Sequence, residues 1–141
     1  MDEVKAPQLE DFAGLWRLER RIDDHRAGVV MRLEGEARFT PRDAGLDYSE
    51  TGTLIAPGAP PLQATRRYRW MAQGADIEVF FEDGRPFHTF RPGGAPSASH
   101  WCDPDSYRVA YEFSAWPAWS SRWSVDGPRK NYTMQSWYHP T

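Results

Sequence analysis

At 141 residues the chain is long enough for one domain with a single core and too short for two comfortable ones. Its net charge of −3, with both signs interspersed, argues against a nucleic-acid-binding surface, and its 14% aromatic content suits a wide sheet interior better than a tight helical bundle. A lone cysteine, Cys102, excludes an intrachain disulfide and fits a reducing compartment; residues 1–10 read as neither signal peptide nor membrane span, so a cytoplasmic protein is expected.

Taken in chain order, residues 9–14 read as a short helical turn before a first strand over 15–22. A polar turn, 23–28, leads to a long strand over 29–39, in which Met31, Leu33, Gly35, Ala37 and Phe39 share the inner face and Arg32, Glu34, Glu36 and Arg38 the outer. Residues 41–45 turn into a strand over 46–55, the Pro-rich run 57–61 is a loop, and 63–72 is the fourth strand. Two short strands, 76–82 and 86–91, flank Asp83-Gly84, a two-residue hairpin signal whose register sets Val79 opposite His88 and Ile77 opposite Phe90. The Gly/Pro/Ser stretch 92–99 is expected as a loop over a barrel mouth, leading into His100, Trp101, Cys102 and Asp103. Alternation resumes with Tyr107, Val109, Tyr111 and Phe113, then over 118–125 and 130–138, where Lys130, Tyr132, Met134 and Ser136 share the face of Ser121, Trp123 and Val125.

About nine consecutive strands on short turns, with no helix long enough for a crossover, predict an all-β antiparallel up-and-down meander. Closure into a barrel of 8–10 strands removes its edges and leaves an interior that is filled or holds one small ligand. The small inward residues Gly35 and Ala37, near Glu50 in the next strand, favour residual space.

Charged residues on the apolar side of the alternation mark the candidate site. Arg20, Glu50, Arg66, His88 and Lys130 face inward with Tyr48, Tyr68, Tyr107 and Tyr132 among them, and a buried charge must be paired, hydrated or liganded. Three cations against one carboxylate leave positive charge for an anionic ligand. In this reading Arg20, Arg66 and Lys130 hold the anion and Glu50 orients Arg66. Tyr68, Tyr107, Tyr132 and Trp70 form the wall, with His88 and His100 near the mouth.

Other constellations carry less. His100, Cys102 and Asp103 have metal-ligand chemistry, but structural zinc sites use closely spaced Cys or His pairs and one cysteine is present, so neither a metal nor another cofactor is expected. Cys102 beside His100 is a weak nucleophile pair. His139 lies in a terminal segment expected to fray. Trp116-Pro-Ala-Trp119 reads as a surface bend with a half-buried ring, and Trp137 points outward on a face that could pair with a second copy as a homodimer.

The run Phe12-Ala-Gly-Leu-Trp16 resembles the start of calycins, the lipocalins and fatty-acid-binding proteins, in which a Gly-x-Trp opens the first strand and the Trp plugs one barrel end. The helix pair that lids the intracellular fatty-acid-binding proteins has no counterpart in the six residues 23–28. Lys130-Asn-Tyr132 is a loose analogue of their carboxylate-holding Arg-x-Tyr. Over nearly the whole chain the sequence resembles a bacterial family known only as domain of unknown function 6314. The matching segments are Phe12-x-Gly14-x-Trp16, Tyr48-x-Glu50-x-Gly52, Arg67-Tyr68-x-Trp70, Asp83-Gly84-Arg85-x-Phe87-His88, His100-x-Cys102-x-x-Asp105-x-Tyr107 and Trp123-x-Val125-x-Gly127-Pro128-x-Lys130-x-Tyr132. That resemblance implies a calycin-like barrel and no activity.

Three functions stay open on the sequence. The first is intracellular binding of a small, partly apolar, anionic molecule. The second is an isomerase or dehydratase with Glu50 or His88 as general base beside Tyr68 or Tyr107. The third is a filled structural or interaction module.

Overall fold

The alternation becomes ten antiparallel strands in the computed structural model, which describes residues 6–93 and 95–141. A 3-10 turn, Leu9–Phe12, precedes β1 (Gly14–Asp24), β2 (Val29–Arg42), β3 (Gly45–Ile55), β4 (Leu62–Gln73) and β5 (Asp76–Phe81). There follow β6 (Pro86–Phe90), β7 (Ser97–Cys102), β8 (Asp105–Glu112), β9 (Trp119–Asp126) and β10 (Asn131–Pro140). Neighbours in sequence pair along the sheet, and β1 also pairs with β10, so the meander curls into a nearly closed barrel. The gap lies between β6 and β7, which share no ladder.

Period-two alternation assigns the faces. In β1, Trp16, Leu18 and Arg20 are buried while Arg17, Glu19 and Arg21 are exposed. The turn between β2 and β3 has only two residues, Asp43 and Ala44, at φ 47° and 61°, the left-handed pair that a tight hairpin of matching twist requires.

The β5–β6 register is as predicted, with Val79 opposite His88 and Ile77 opposite Phe90. The turn is not the expected two-residue one. Gly84 N–H donates to Phe81 O, Phe81 N–H donates to Arg85 O, and Gly84 takes φ 91°, so the hairpin carries an extra residue near its tip. The register shifts there, and Phe87 and His88 are consequently both buried, whereas strict alternation would turn Phe87 outward.

Several expectations change. The 92–99 stretch is not loop throughout: Ser97, Ala98 and Ser99 begin β7, and Gly93 lies beside Ala6. Trp119 is no surface residue. It opens β9, is 4% exposed and stacks on Tyr138 with ring centroids 3.8 Å apart. His139 pairs with Arg17 inside the β1–β10 ladder instead of lying in a frayed tail.

One end of the barrel is plugged by rings. Phe12, carried in by the 3-10 turn and fully buried, lies 5.0–5.9 Å from Phe39, Trp70, Phe113, Trp116 and Trp119. Trp16 Nε1 donates to Phe12 O at 2.8 Å, which ties the plug to β1. Towards the opposite end the inward residues Ile22, Met31, Leu54, Ala64, Tyr107 and Tyr132 are only half-buried.

Candidate functional site

Midway along the barrel the inward charges meet. Arg20 on β1 grips Glu50 on β3 with a two-pronged fork, Nη1 to Oε2 at 2.5 Å and Nη2 to Oε1 at 2.9 Å, while its Nε donates to Ser136 Oγ at 2.7 Å. Both side chains are 3% exposed. The register places Gly35 and Ala37 on β2 between them, and the space a Gly35 side chain would take is filled by the β3 backbone and is not free. Gly35 also permits close approach of the sheet backbone, since a Cβ there would run into Thr51 and Gly52.

A proton chain completes this network. Tyr48 donates to Glu50 Oε1 at 2.6 Å, and the Tyr138 hydroxyl lies 2.9 Å from that of Tyr48. Burial holds both phenols above their ordinary range, so they remain donors. Burial works against the charges of Arg20 and Glu50, but each compensates the other, leaving the guanidinium raised and the carboxyl below its usual value. Glu50 is thus ionised and fully occupied, which makes it a poor general base.

Arg66 has no such partner. It stands directly opposite Glu50 in the β3–β4 ladder, yet both Glu50 oxygens go to Arg20, so the expected orientation of Arg66 by Glu50 is replaced by the Arg20 pair. Its Nη1 reaches Tyr68 Oη at 3.4 Å, its guanidinium lies 5.7 Å from the Trp123 ring centroid, and among the described residues it makes no salt bridge. The half-buried guanidinium thus shares the field of Glu50 but, among the described residues, hydrogen-bonds no carboxylate.

The wall continues with a neutral polar pair. His88 is 6% exposed and its Nε2 lies 2.7 Å from Tyr111 Oη. Burial, helped by nearby His100, pushes His88 down to about 3, so the imidazole is uncharged near neutrality and a weak base.

Arg20, Tyr48, Glu50, Arg66, Tyr68, Trp70, His88, Tyr111, Trp119, Trp123 and Tyr138 are among the residues around a cavity of about 30 Å³. That is room for about two waters or one small polar head group, and far below the roughly 300 Å³ at which pockets enclose a whole drug-sized ligand.

The remaining sequence candidates lie outside this wall. Lys130 sits in the turn before β10, half exposed, with Nζ 3.3 Å from Asp105 Oδ2, so it is spent on a carboxylate and does not point into the cavity. Gly127 packs against that carboxylate, where a Cβ would collide with it. His100, on β7, is half-buried with its ring centroid 5.8 Å from Phe81 and 5.4 Å from Phe87; Tyr107 and Tyr132 are half-buried nearer the open end. No cluster of three or more His, Cys, Asp or Glu suited to a metal occurs among the described residues.

Sequence reasoning missed Asp105, Phe87, Tyr111, Trp119 and Trp123. Asp105 changes the charge count: of the three cations expected inward, Arg20 and Lys130 pair with carboxylates, and Arg66 makes no salt bridge among the described residues. Trp123 was already on the face of Met134 and Ser136, and only the closed ring brings it to Arg66.

Among solved structures, the chain is similar to the S-type phycobiliprotein lyase CPES from Guillardia theta, with TM-score 0.61 and 9% identity over 92% of this chain and 87% of that one. It is also similar to a protein of unknown function from the DUF3598 family of Nostoc punctiforme, with TM-score 0.59 and 11% identity over 94% of this chain and 48% of that one. At these identities the likeness is one of fold. No curated protein matches. Residues 12–140 match the family described as Family of unknown function (DUF6314), and the chain belongs to it.

Proposed function

We propose that the barrel binds a small molecule whose oxyanion head enters the central cavity against Arg66 and whose apolar body lies in the half-exposed end lined by Ile22, Met31, Leu54 and Ala64. The observation that carries this is the unpaired Arg66 guanidinium. A half-buried cation costs desolvation energy that Arg20 recovers from a forked contact with Glu50, whereas Arg66 feels Glu50 only through its field and hydrogen-bonds no carboxylate. A charge-assisted, forked contact to a ligand carboxylate supplies the missing partner. The cavity of about 30 Å³ supports head-first entry and is too small for full enclosure. The low basicity of Glu50 and His88 lends nothing to a general-base reading.

The test is a titration of the protein's tryptophan fluorescence with decanoate and with decanol as its uncharged counterpart. Wild type is expected to bind decanoate at least about tenfold more tightly, and Arg66→Gln to bind the two alike, since a hydrogen bond to a charged group contributes roughly 1.5–3 kcal/mol. Equal affinities in wild type, or selectivity unchanged in Arg66→Gln, would overturn the reading.

A further inference from the structure

The half-exposed end of the barrel has two unlike walls. On β1–β4 its inward side chains are the aliphatic Ile22, Met31, Leu54 and Ala64. From Tyr68 on β4 round to Trp123 on β9 rings predominate, with Phe81, His100 and Tyr107 between them, all five half-buried. Phe87, buried within this second wall, joins it together: its ring centroid lies 4.5 Å from Phe81, 5.1 Å from Trp123, 5.4 Å from His100 and 5.6 Å from Tyr107. Arg66 stands between Ala64 and Tyr68 on β4, where the two walls meet.

Two of these rings border the guanidinium directly. Arg66 Nη1 lies 3.4 Å from Tyr68 Oη, the guanidinium carbon lies 5.7 Å from the Trp123 centroid, and all three side chains line the central cavity. The two rings are themselves 6.0 Å apart at 67°. A ligand head seated on Arg66 is therefore beside both rings, and the atoms that follow it begin there. Large rings gain most from burial, and the plugged end buries Phe12, Phe39, Trp70 and Trp119 almost completely. Around Arg66 the rings keep part of their surface uncovered.

Resting on the oxyanion reading above, we infer that the ligand is an aromatic carboxylic acid, a flat conjugated body that carries its carboxylate directly, and that Tyr68 and Trp123 are the residues that select it over a saturated acid. A carboxylate forked on a guanidinium lies in its plane, and conjugation holds an attached arene in that plane as well. Head and body then form one rigid plate, which has little rotamer freedom to lose on binding. An alkyl chain has to be ordered bond by bond. Ring faces and edges also attract one another directionally, beyond the area they bury, and a saturated body of the same skeleton does not return that attraction.

The test is isothermal titration calorimetry of the full chain with 2-naphthoate and with decahydro-2-naphthoate, which shares its carbon skeleton and charge and has no aromatic ring. Wild type is expected to bind 2-naphthoate about tenfold more tightly, and Trp123→Leu to bind the two acids within about twofold of each other. Tyr68→Leu is read in the same way and stands in if Trp123→Leu does not fold. Equal affinities in wild type overturn the inference, and so does the full preference kept in a folded variant. If binding of both acids is nevertheless lost in Arg66→Gln, the oxyanion reading survives. Binding of decanoate with neither cyclic acid bound likewise overturns this inference alone. Binding of both acids undiminished in Arg66→Gln, or no binding of any of the three, overturns the oxyanion reading and this inference with it.

Discussion

The two halves of this barrel are stabilised by opposite means. At the plugged end Phe12, Phe39, Trp70, Phe113 and Trp119 pack ring against ring, and no charge intrudes. In the middle and towards the open end, Arg20, Glu50, Arg66 and His88 occupy equivalent inward positions, in a lattice where each polar atom is either matched or costly. The lesson is that the first half explains why the chain folds and the second does not. The second half carries groups that folding alone would replace by apolar ones, and function belongs where that replacement has not happened.

The comparison is broken most forcefully by single deletions. Phe12→Ala is expected to cost about 3–5 kcal/mol by leaving a void among rigid rings. Glu50→Ala should cost a similar 3–5 kcal/mol for a different reason, the uncompensated buried charge of Arg20. Urea denaturation of both, together with the Arg20→Met/Glu50→Leu double variant, separates the causes. The double variant is expected near wild-type stability, and a double variant as unstable as Glu50→Ala would mean that the ion pair is itself stabilising.

Acid sharpens the contrast next. The folded-state value of His88, about 3, lies below its ordinary 6.5, so between the two the unfolded chain binds a proton that the native state does not. Stability therefore falls as pH falls through this window. The loss between pH 7.5 and pH 5 should be about 2 kcal/mol. Glu50 adds its own loss only on further acidification, as its depressed carboxyl begins to protonate. Denaturation midpoints against pH should lose this slope in His88→Gln. A slope that persists there places the titrating group elsewhere.

The smallest effect belongs to the plugged end. Ala44 holds a left-handed φ of 61°, so Ala44→Gly should stabilise by about 1 kcal/mol, read from the same urea curves. A loss of stability would show that this turn is not strained by its Cβ.

The fold was legible because alternation and turns agree along most of the chain: the faces of β2, β4 and β10 follow directly from residue type. Strand β7 was hard to see because it borders the gap, and its inward Ala98, His100 and Cys102 are only half-buried, which weakens the apolar signal. The inward turn of Phe87 was hidden for a local reason, an extra residue near the Asp83-Gly84 tip. The candidate site was legible as a set of inward charges, and their pairing was not. Arg66 faces Glu50 in the ladder, so adjacency favours it. Arg20 wins from two strands away because Gly35 and Ala37 on the intervening strand clear its path and Ser136 receives its Nε. Lys130 found Asp105 through contact between the turn before β10 and the start of β8, which no strand periodicity encodes.

The central claim is that Arg66 is kept for a ligand and not for the fold. The most direct test compares denaturation midpoints of wild type and Arg66→Met, each with and without saturating decanoate. The account predicts that the variant without ligand is as stable as wild type or more so. Decanoate at about a hundred times its dissociation constant should add about 2.7 kcal/mol to wild type and nothing comparable to the variant. A variant that loses stability without ligand, yet keeps the full decanoate effect, would contradict the claim and return Arg66 to the structural network.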